Sequence, residues 1–386
     1  MTALKGLRVL QVLPSLAANG LARDAVEVAL CLAQNGAVPL VVSSGGPLQR
    51  ELDRAGIAHL TIPALASRSP WSVLANDRHL TKIVHAHVIE VVHAHSRLLA
   101  WAGWRAAGRC GATLVTTCHA LYPTGSWVER WRGAAIARGV RVIAVSEHVR
   151  DHLLTNFPVT KDAVSVVRPG LDLALFTPDQ VKSTRLIHLA RVWNLPDDRP
   201  IILVPGRLQP GQGQMELIEA LGRLGRRDLC CLMVEDCSGD TAPANPGYRR
   251  LLEQRIEGLG LGGSVRFLDT WPDPTAAYML ATMVVSPARN PEGFPRTILE
   301  AMAMGRPTVL TDHGSAREVA VPGVSWLVPP ANPEAMAEAV AAVLALNTAE
   351  RINLAERAID HVRQRFSRER AAAEIIAVYR EVVKRD

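Results

Sequence analysis

Strand-like apolar runs alternating with helix-length amphipathic segments predict an α/β protein of two Rossmann-like, parallel-sheet lobes. Three observations carry that expectation. The chain has 386 residues, more than a single hydrophobic core usually organises. The strand–helix alternation runs through nearly all of it, the pattern of parallel sheets. It is interrupted once, by Arg168-Pro-Gly-Leu-Asp172 and Phe176-Thr-Pro-Asp179, which read as turn and linker.

In the first half the strands are expected at 8–13, 38–43, 90–94, 113–117, 141–145 and 164–167, with helices such as 21–34 and 146–156 between them. The second half restarts the alternation, with strands at 201–205, 229–234, 265–268, 283–286, 307–311 and 326–328. Three helices, at 333–346, 349–364 and 368–384, close the chain. The expected lobes are 1–178 and 179–365. Ligands of open α/β sheets bind beyond the carboxyl ends of the strands, so each lobe is expected to aim its loops into a cleft between them.

Composition narrows the function classes. Hydrophobic residues at 48% and charged residues at 21% suit a globular, soluble protein rather than a disordered one. The first residues lack the apolar stretch and cleavage site of a secretory signal, and no run approaches the roughly 18 apolar residues of a membrane span. Cysteines at 31, 110, 118, 230, 231 and 237 form no CxxC pair and read as free thiols of a reducing compartment. The expected location is cytoplasmic.

The net charge of +6 lies entirely in residues 1–180. Within 97–150, eight arginines face two acids and are interleaved with Trp101, Trp104, Trp127 and Trp131. Both tryptophan pairs have the spacing of one helix face. The segment therefore raises peripheral contact with an anionic membrane surface, the inner face of the plasma membrane. A plainer reading stands beside it: arginine outnumbers lysine 38 to 5, as a compositional bias would give, and tryptophans at this spacing also suit a core. Nucleic acid is not an expected partner, since no recognition motif accompanies the basic stretch.

The residues richest in chemistry lie at 291–307. After the apolar run at 283–286, a Pro/Gly-rich loop carries Glu292, and a helix is expected to start at Pro295, a residue suited to the first helical position. Glu300 would fall in its second turn. Amides near Thr297 and Ile298 would face the helix mouth, a seat for phosphate. The two carboxylates could then take hydroxyls on either side of a diphosphate. Taken alone, the pair also reads as one loop glutamate and one solvent-facing helical glutamate. Three further segments join it. Asn19-Gly20-Leu-Ala-Arg23 opens the first helix, with Gly20 permitting close backbone approach. His119 ends a strand where its loop would face a ligand. Gly206-Arg207-Leu-Gln-Pro-Gly-Gln212-Gly213 links a strand to a helix. Two His-Ala-His triplets, 85–87 and 93–95, lack an acidic ligand, and no metal site is expected. Gly258-Leu-Gly-Leu-Gly-Gly263 follows a helix and precedes a strand, the reverse of a dinucleotide fingerprint.

The run Glu292-Gly-Phe…Glu300-Ala-Met-Ala-Met-Gly-Arg-Pro, followed by Thr311-Asp-His-Gly-Ser-Ala-Arg-Glu318, resembles the donor-site signature of glycosyltransferase family 4. Those enzymes are retaining, metal-independent and of the GT-B fold, and the resemblance extends from Arg8 to about Val343. It implies a nucleotide-diphosphate sugar as donor, a glycan or lipid-linked acceptor, no cofactor, and a role in cell-surface polysaccharide or lipopolysaccharide synthesis. The last helix, 366–386, would return to the first lobe. His119, Glu292 and Arg207 would be catalytic. Gly20, Arg207, Gln212, Phe294, Arg296, Thr297, Ile298, Leu299 and Glu300 would hold the donor, with Gly314 and Glu318 matching the next loop.

Four positions depart from the pattern. Asn19 replaces a glycine, and its tolerance of left-handed backbone would preserve the loop. Gln212 replaces a lysine and supplies no charge, for which Arg296 is the expected substitute. Glu235 replaces a glycine and would either repel a diphosphate or face solvent. Pro295 replaces another glycine. The alternative function is accordingly a weakened or inactive GT-B protein that binds a nucleotide sugar or glycan as a partner or scaffold.

Overall fold

The computed structural model describes residues 4–17, 19–67, 70–235 and 245–384, with no side-chain detail at 70–73. Asp236 and Cys237 lie outside the described residues. The described residues divide into two compact units, one of residues up to 170 with 369–384, the other of 171–235 with 245–368.

The first unit is built on seven parallel strands: β1 (Arg8–Val12), β2 (Val38–Ser43), β3 (Ala58–Thr61), β4 (Val91–Ala94), β5 (Thr113–Cys118), β6 (Arg141–Ala144) and β7 (Val164–Val166). Their order is β3-β2-β1-β4-β5-β6-β7. Six were expected; β3 was not, because Ala-His-Leu-Thr is short and only half-buried at the sheet edge. The chain reverses its winding direction between β1 and β4, so the loops that follow these two strands border the crevice where open sheets bind ligands. The C-terminal helix Arg368–Val383 belongs to this unit. Ile375, Ile376, Val378, Tyr379 and Val382 pack with Val9, Val91, Val115 and Ile143 of the sheet.

The second unit has six parallel strands: β8 (Ile201–Pro205), β9 (Cys230–Val234), β10 (Val265–Leu268), β11 (Met283–Ser286), β12 (Thr308–Thr311) and β13 (Ser325–Val328). The order is β10-β9-β8-β11-β12-β13, with the reversal between β8 and β11. Every residue of β8 and β9 is buried. That explains their continuous apolar sequences, since helices cover both faces of a parallel sheet. Leu171 ties the entry of this unit to its exit: its N–H donates to the Phe366 carbonyl at 2.8 Å, and its carbonyl accepts from Arg368 N–H at 3.1 Å.

Candidate functional site

In the second unit, the loop after β11 leads into the helix Arg296–Ala303. Pro295 caps this helix instead of occupying its first helical position. The tight first turn spends amides that were expected to face a ligand. Ile298 and Leu299 both donate to the Pro295 carbonyl, at 3.2 and 3.3 Å, and Arg296 donates to Phe294 at 3.0 Å. The side chains of Ile298 and Leu299 are fully buried in the core. Among the described residues the Thr297 N–H has no acceptor. Phe294 turns its ring toward Phe366, with centroids 5.9 Å apart, and packs against the same core.

Glu300 projects from the second turn and is fixed from two sides. The Tyr278 hydroxyl donates to its Oε2 at 2.9 Å, and Arg296 Nε lies 3.4 Å from its Oε1. Arg296 is thus turned to Glu300, the carboxylate one turn ahead. Tyr278 gave no sequence signal: it lies 22 residues upstream in an ordinary apolar helix, and only the fold brings it here. Burial, followed by the charge of Glu300, pushes its phenol well above the usual range.

Glu292 sits in the loop, with its backbone clamped by the loop after β12. A Cβ on Gly314 would come within 2.8 Å of the Glu292 carbonyl oxygen, and Gly314 has φ +57°. Only glycine permits that approach. Ser315 Oγ also donates to the Glu292 carbonyl, at 3.4 Å. The Glu292 side chain keeps some contact with solvent, but loss of hydration pushes its carboxyl up to about 7. It lines a small recess with Ser286, Pro295, Thr311, His313 and Ser315. His313 Nε2 donates to the Ala288 carbonyl at 2.5 Å, while His313 Nδ1 and Thr311 Oγ1 are buried with no protein partner among the described residues.

The loop after β8 is locked against this loop. The Gly211 carbonyl accepts from the N–H groups of Arg289 and Asn290, at 2.8 and 3.0 Å. At Gly213 (φ +75°) a Cβ would lie 1.7 Å from the Pro287 carbonyl oxygen. Gln214 Nε2 donates to the Arg207 carbonyl at 2.8 Å, holding the arginine's backbone in place. Gln212 lies in the turn, its N–H bonded to the Gln209 carbonyl at 3.1 Å. Arg289, unremarked in the sequence, carries a cation on the segment paired to this turn, 3.7 Å from Glu216. Glu235 does not face solvent: it is 5% exposed, its Oε1 accepts from the Leu208 N–H at 3.1 Å, and its Oε2 is buried with no protein partner among the described residues.

In the first unit, Asn19 is extended (φ −115°, ψ 166°) and caps the helix Gly20–Gln34, its side chain accepting from Ala22 N–H at 3.0 Å. It succeeds as a cap, not through left-handed backbone. A Cβ at Gly20 would meet no protein atom within 4 Å, so the fold itself imposes no glycine there. Arg23 pairs with Glu51 at 2.6 Å. His119 follows β5 and has both ring nitrogens near protein groups: Nε2 is 3.2 Å from His95 Nδ1, and Nδ1 is 3.4 Å from Asp24 Oδ2. The second His-Ala-His triplet therefore serves this cluster, whereas His85 and His87 are exposed. No group of three or more His, Cys, Asp or Glu among the described residues is placed to hold a metal.

The basic-aromatic segment resolves into a mixed surface. Trp101 is buried and stacks on Trp131 at 4.8 Å, and Arg138 lies 4.9 and 4.2 Å over the rings of Trp101 and Trp104. Trp127 is 79% and Trp131 55% exposed. Arg105 and Arg109 pair with Asp77 at 2.9 and 2.5 Å, so part of the arginine excess is neutralised. Burial would raise the Asp77 carboxyl, but the bonds from Arg109 and Arg105 outweigh it and hold it below the usual range. No helix among the described residues is long and apolar enough to cross a membrane.

Two parallel sheets, each gathering polar loops at its reversal point, define a two-unit protein of the Rossmann-like ligand-binding class. Residues 18–175 match the family described as Glycosyltransferase Family 4, and residues 188–365 match Glycosyl transferases group 1. A D-inositol 3-phosphate glycosyltransferase of Saccharomonospora viridis is 31% identical over 306 residues, 73% of this chain and 67% of that protein. Three corynebacterial proteins of the same description are matched over only 57, 56 and 51% of their length, so the chain spans little more than half of those relatives. Among solved structures, a glycosyltransferase from Rickettsia africae superposes with TM-score 0.87 at 29% identity, covering 99% of this chain and 100% of that one. Anabaena HepE in complex with UDP and glucose gives TM-score 0.84 at 21% identity, covering 97 and 99%, a likeness of fold. The chain belongs to the family 4 glycosyltransferases, and the expected GT-B architecture is borne out.

Proposed function

We propose that this protein is a retaining glycosyltransferase that uses a nucleotide-diphosphate sugar, without a resident metal or cofactor. It would serve a glycan or lipid-linked acceptor in cell-surface polysaccharide or lipopolysaccharide assembly. What supports the reading is the order imposed on two carboxylates of the loop and helix that follow β11: Glu300 is held by Tyr278 and Arg296, and the backbone of Glu292 is clamped by Gly314. Glu300 takes the ribose hydroxyls and Glu292 the sugar hydroxyls. The diphosphate meets Arg207 and the Thr297 amide at the helix N-terminus. In the first unit, Gly20, whose glycine the fold does not demand, would permit phosphate approach, and His119 would bond a sugar hydroxyl. In transfer, the bond from the anomeric carbon to the phosphate oxygen breaks as the acceptor oxygen bonds to the same face. The acceptor proton passes to the departing phosphate, whose charge Arg207 offsets. The donor class finds support in Anabaena HepE, of the same fold, which is solved with UDP and glucose.

The second unit supplies less positive charge than the family pattern, because Gln212 stands for a lysine and Arg296 is paired with Glu300. This observation favours a second reading, a slow or non-catalytic nucleotide-sugar binder. Glu235 no longer supports it, since that carboxylate anchors Leu208. Replacing Gln212 with lysine separates the readings. A large gain in turnover identifies an attenuated enzyme, and no turnover in either form identifies a binder. For the primary reading, Glu292→Ala is expected to lower transfer by at least about a hundredfold with an unchanged circular dichroism spectrum. Transfer at the parental rate would remove Glu292 from the chemistry.

Membrane contact belongs to this proposal in a narrower form. The helix Trp127–Ala134 presents Trp127 and Trp131, flanked by Arg130 and Arg132, to the surface. That arrangement suits an interfacial helix on anionic lipid, so the protein would work at the cytoplasmic face of the membrane.

A further inference from the structure

The first unit contains a chain of buried polar groups that a parallel-sheet scaffold does not need. It starts at Thr117 on β5, passes through His93, Tyr379, Gln11 and His95, and ends at His119. The separations are 2.7 Å (Thr117 Oγ1 to His93 Nε2), 2.8 Å (His93 Nδ1 to Tyr379 hydroxyl), 3.0 Å (Tyr379 hydroxyl to Gln11 Nε2), 2.5 Å (Gln11 Oε1 to His95 Nε2) and 3.2 Å (His95 Nδ1 to His119 Nε2). Gln11, His93, His95 and Tyr379 are at most 1% exposed, so each bond that fails leaves a costly buried orphan.

The orientation of one amide sets the direction of every bond. Gln11 Oε1 can only accept, so His95 carries its proton on Nε2. Burial holds His95 well below the usual histidine range, which leaves it neutral and its Nδ1 a bare acceptor. His119 must therefore donate from Nε2. On the other side, Gln11 Nε2 donates to the Tyr379 oxygen and the Tyr379 hydroxyl donates to His93 Nδ1. Burial, with the neighbouring His119, pushes His93 down to about 3, so it is neutral and donates from Nε2 to Thr117. The donors run in one direction, from His119 inward to Thr117. The remaining nitrogen of His119, Nδ1, faces Asp24 on the helix Gly20–Gln34.

We propose that Gln11 and Asp24 are positioning residues for His119: Gln11 commits Nε2–H inward through His95, which leaves Nδ1 as the nitrogen for a ligand hydroxyl, and the Asp24 carboxylate, 3.4 Å from that nitrogen, orients the ring when Nδ1 carries a proton. The C-terminal helix takes part, because Tyr379 selects the Gln11 amide orientation from the far end. This inference rests on the reading of His119 as a residue of the transfer reaction.

The test uses the full chain with imidazole-15N histidine. In the parent protein, two-dimensional NMR is expected to show His95 as a single tautomer protonated on Nε2. Tyr379→Phe keeps the buried ring but removes both hydroxyl bonds, which frees the amide to turn. The His95 signal should then become a mixture of tautomers, and kcat should fall several-fold with donor KM unchanged. Asp24→Asn is expected to lower kcat roughly tenfold, again at constant donor KM, and Asp24→Glu to recover part of it. A parent His95 protonated on Nδ1, a Tyr379→Phe spectrum identical to the parent's, or full kcat in Asp24→Asn would overturn the proposal. The spectroscopic arm needs no turnover: a chain inactive with every donor would sink the functional reading, while the His95 tautomer would still decide whether the relay exists.

Discussion

The polar clusters of the two units are finished to different degrees. In the first, Thr117, His93, Tyr379, Gln11 and His95 satisfy one another inside the protein. In the second, the recess beside the helix mouth retains Thr311 Oγ1 and His313 Nδ1 without protein partners among the described residues, and a glutamate held near neutrality. A complete network rigidifies what it touches, whereas an incomplete one keeps hydrogen-bonding capacity at an energetic cost. The first cluster is closed to a further partner, whereas the second keeps polar groups for one.

The contrast can be broken by mutation. The largest effect is expected where the network is complete: Gln11→Leu strands the His95 Nε2–H and removes the donor to the Tyr379 oxygen, and should cost about 3 kcal/mol in urea unfolding. A loss below about 1 kcal/mol would mean that the first cluster is not a cooperative unit. Next comes Glu292. Its folded carboxyl is raised from 4.5 to about 7, so the stability this group contributes is full below 4.5 and is lost as pH climbs through about 7. Glu292→Gln should match the parent in acid and exceed it above neutrality, by about 1–2 kcal/mol after allowance for partial exposure. A pH-independent difference in melting temperature would contradict the desolvated state assigned to Glu292. The smallest stability effect belongs to Thr311→Val, which removes an unpaired buried hydroxyl at nearly constant volume and should leave stability within about 1 kcal/mol or raise it. Donor affinity should nonetheless fall, and an unchanged Kd by calorimetry would remove Thr311 from the recess's function.

Much of this was legible in the sequence, and the reasons differ by element. Strands buried on both faces, such as Ile201–Pro205, announce themselves as unbroken apolar runs. The edge strand Ala58–Thr61 does not, because half-exposed residues there need no apolar pattern. The loop positions of Glu292, Arg207 and His119 follow from strand ends, which the alternation fixes. Tyr278 and Asp24 could not be found that way, since each reaches its partner, Glu300 or His119, from another element through the tertiary fold. The helix mouth was misjudged by one residue: proline fits the first helical position but here precedes it, and its carbonyl takes the amides of Ile298 and Leu299. Glu235 shows the same limit. A carboxylate after a strand reads as a surface charge until the backbone N–H of Leu208 is brought against it.

The central claim is that the helix mouth of the second unit binds an activated sugar through Glu292 and Glu300. Its most direct test is a thermal-shift panel of UDP-, GDP- and ADP-sugars on the parent, Glu292→Ala and Glu300→Ala proteins, since a ligand that binds only the native state raises its melting temperature. One nucleotide series is expected to stabilise the parent, with the gain lost in Glu300→Ala and its dependence on the sugar lost in Glu292→Ala. No shift with any donor, or equal shifts in all three proteins, would contradict the account.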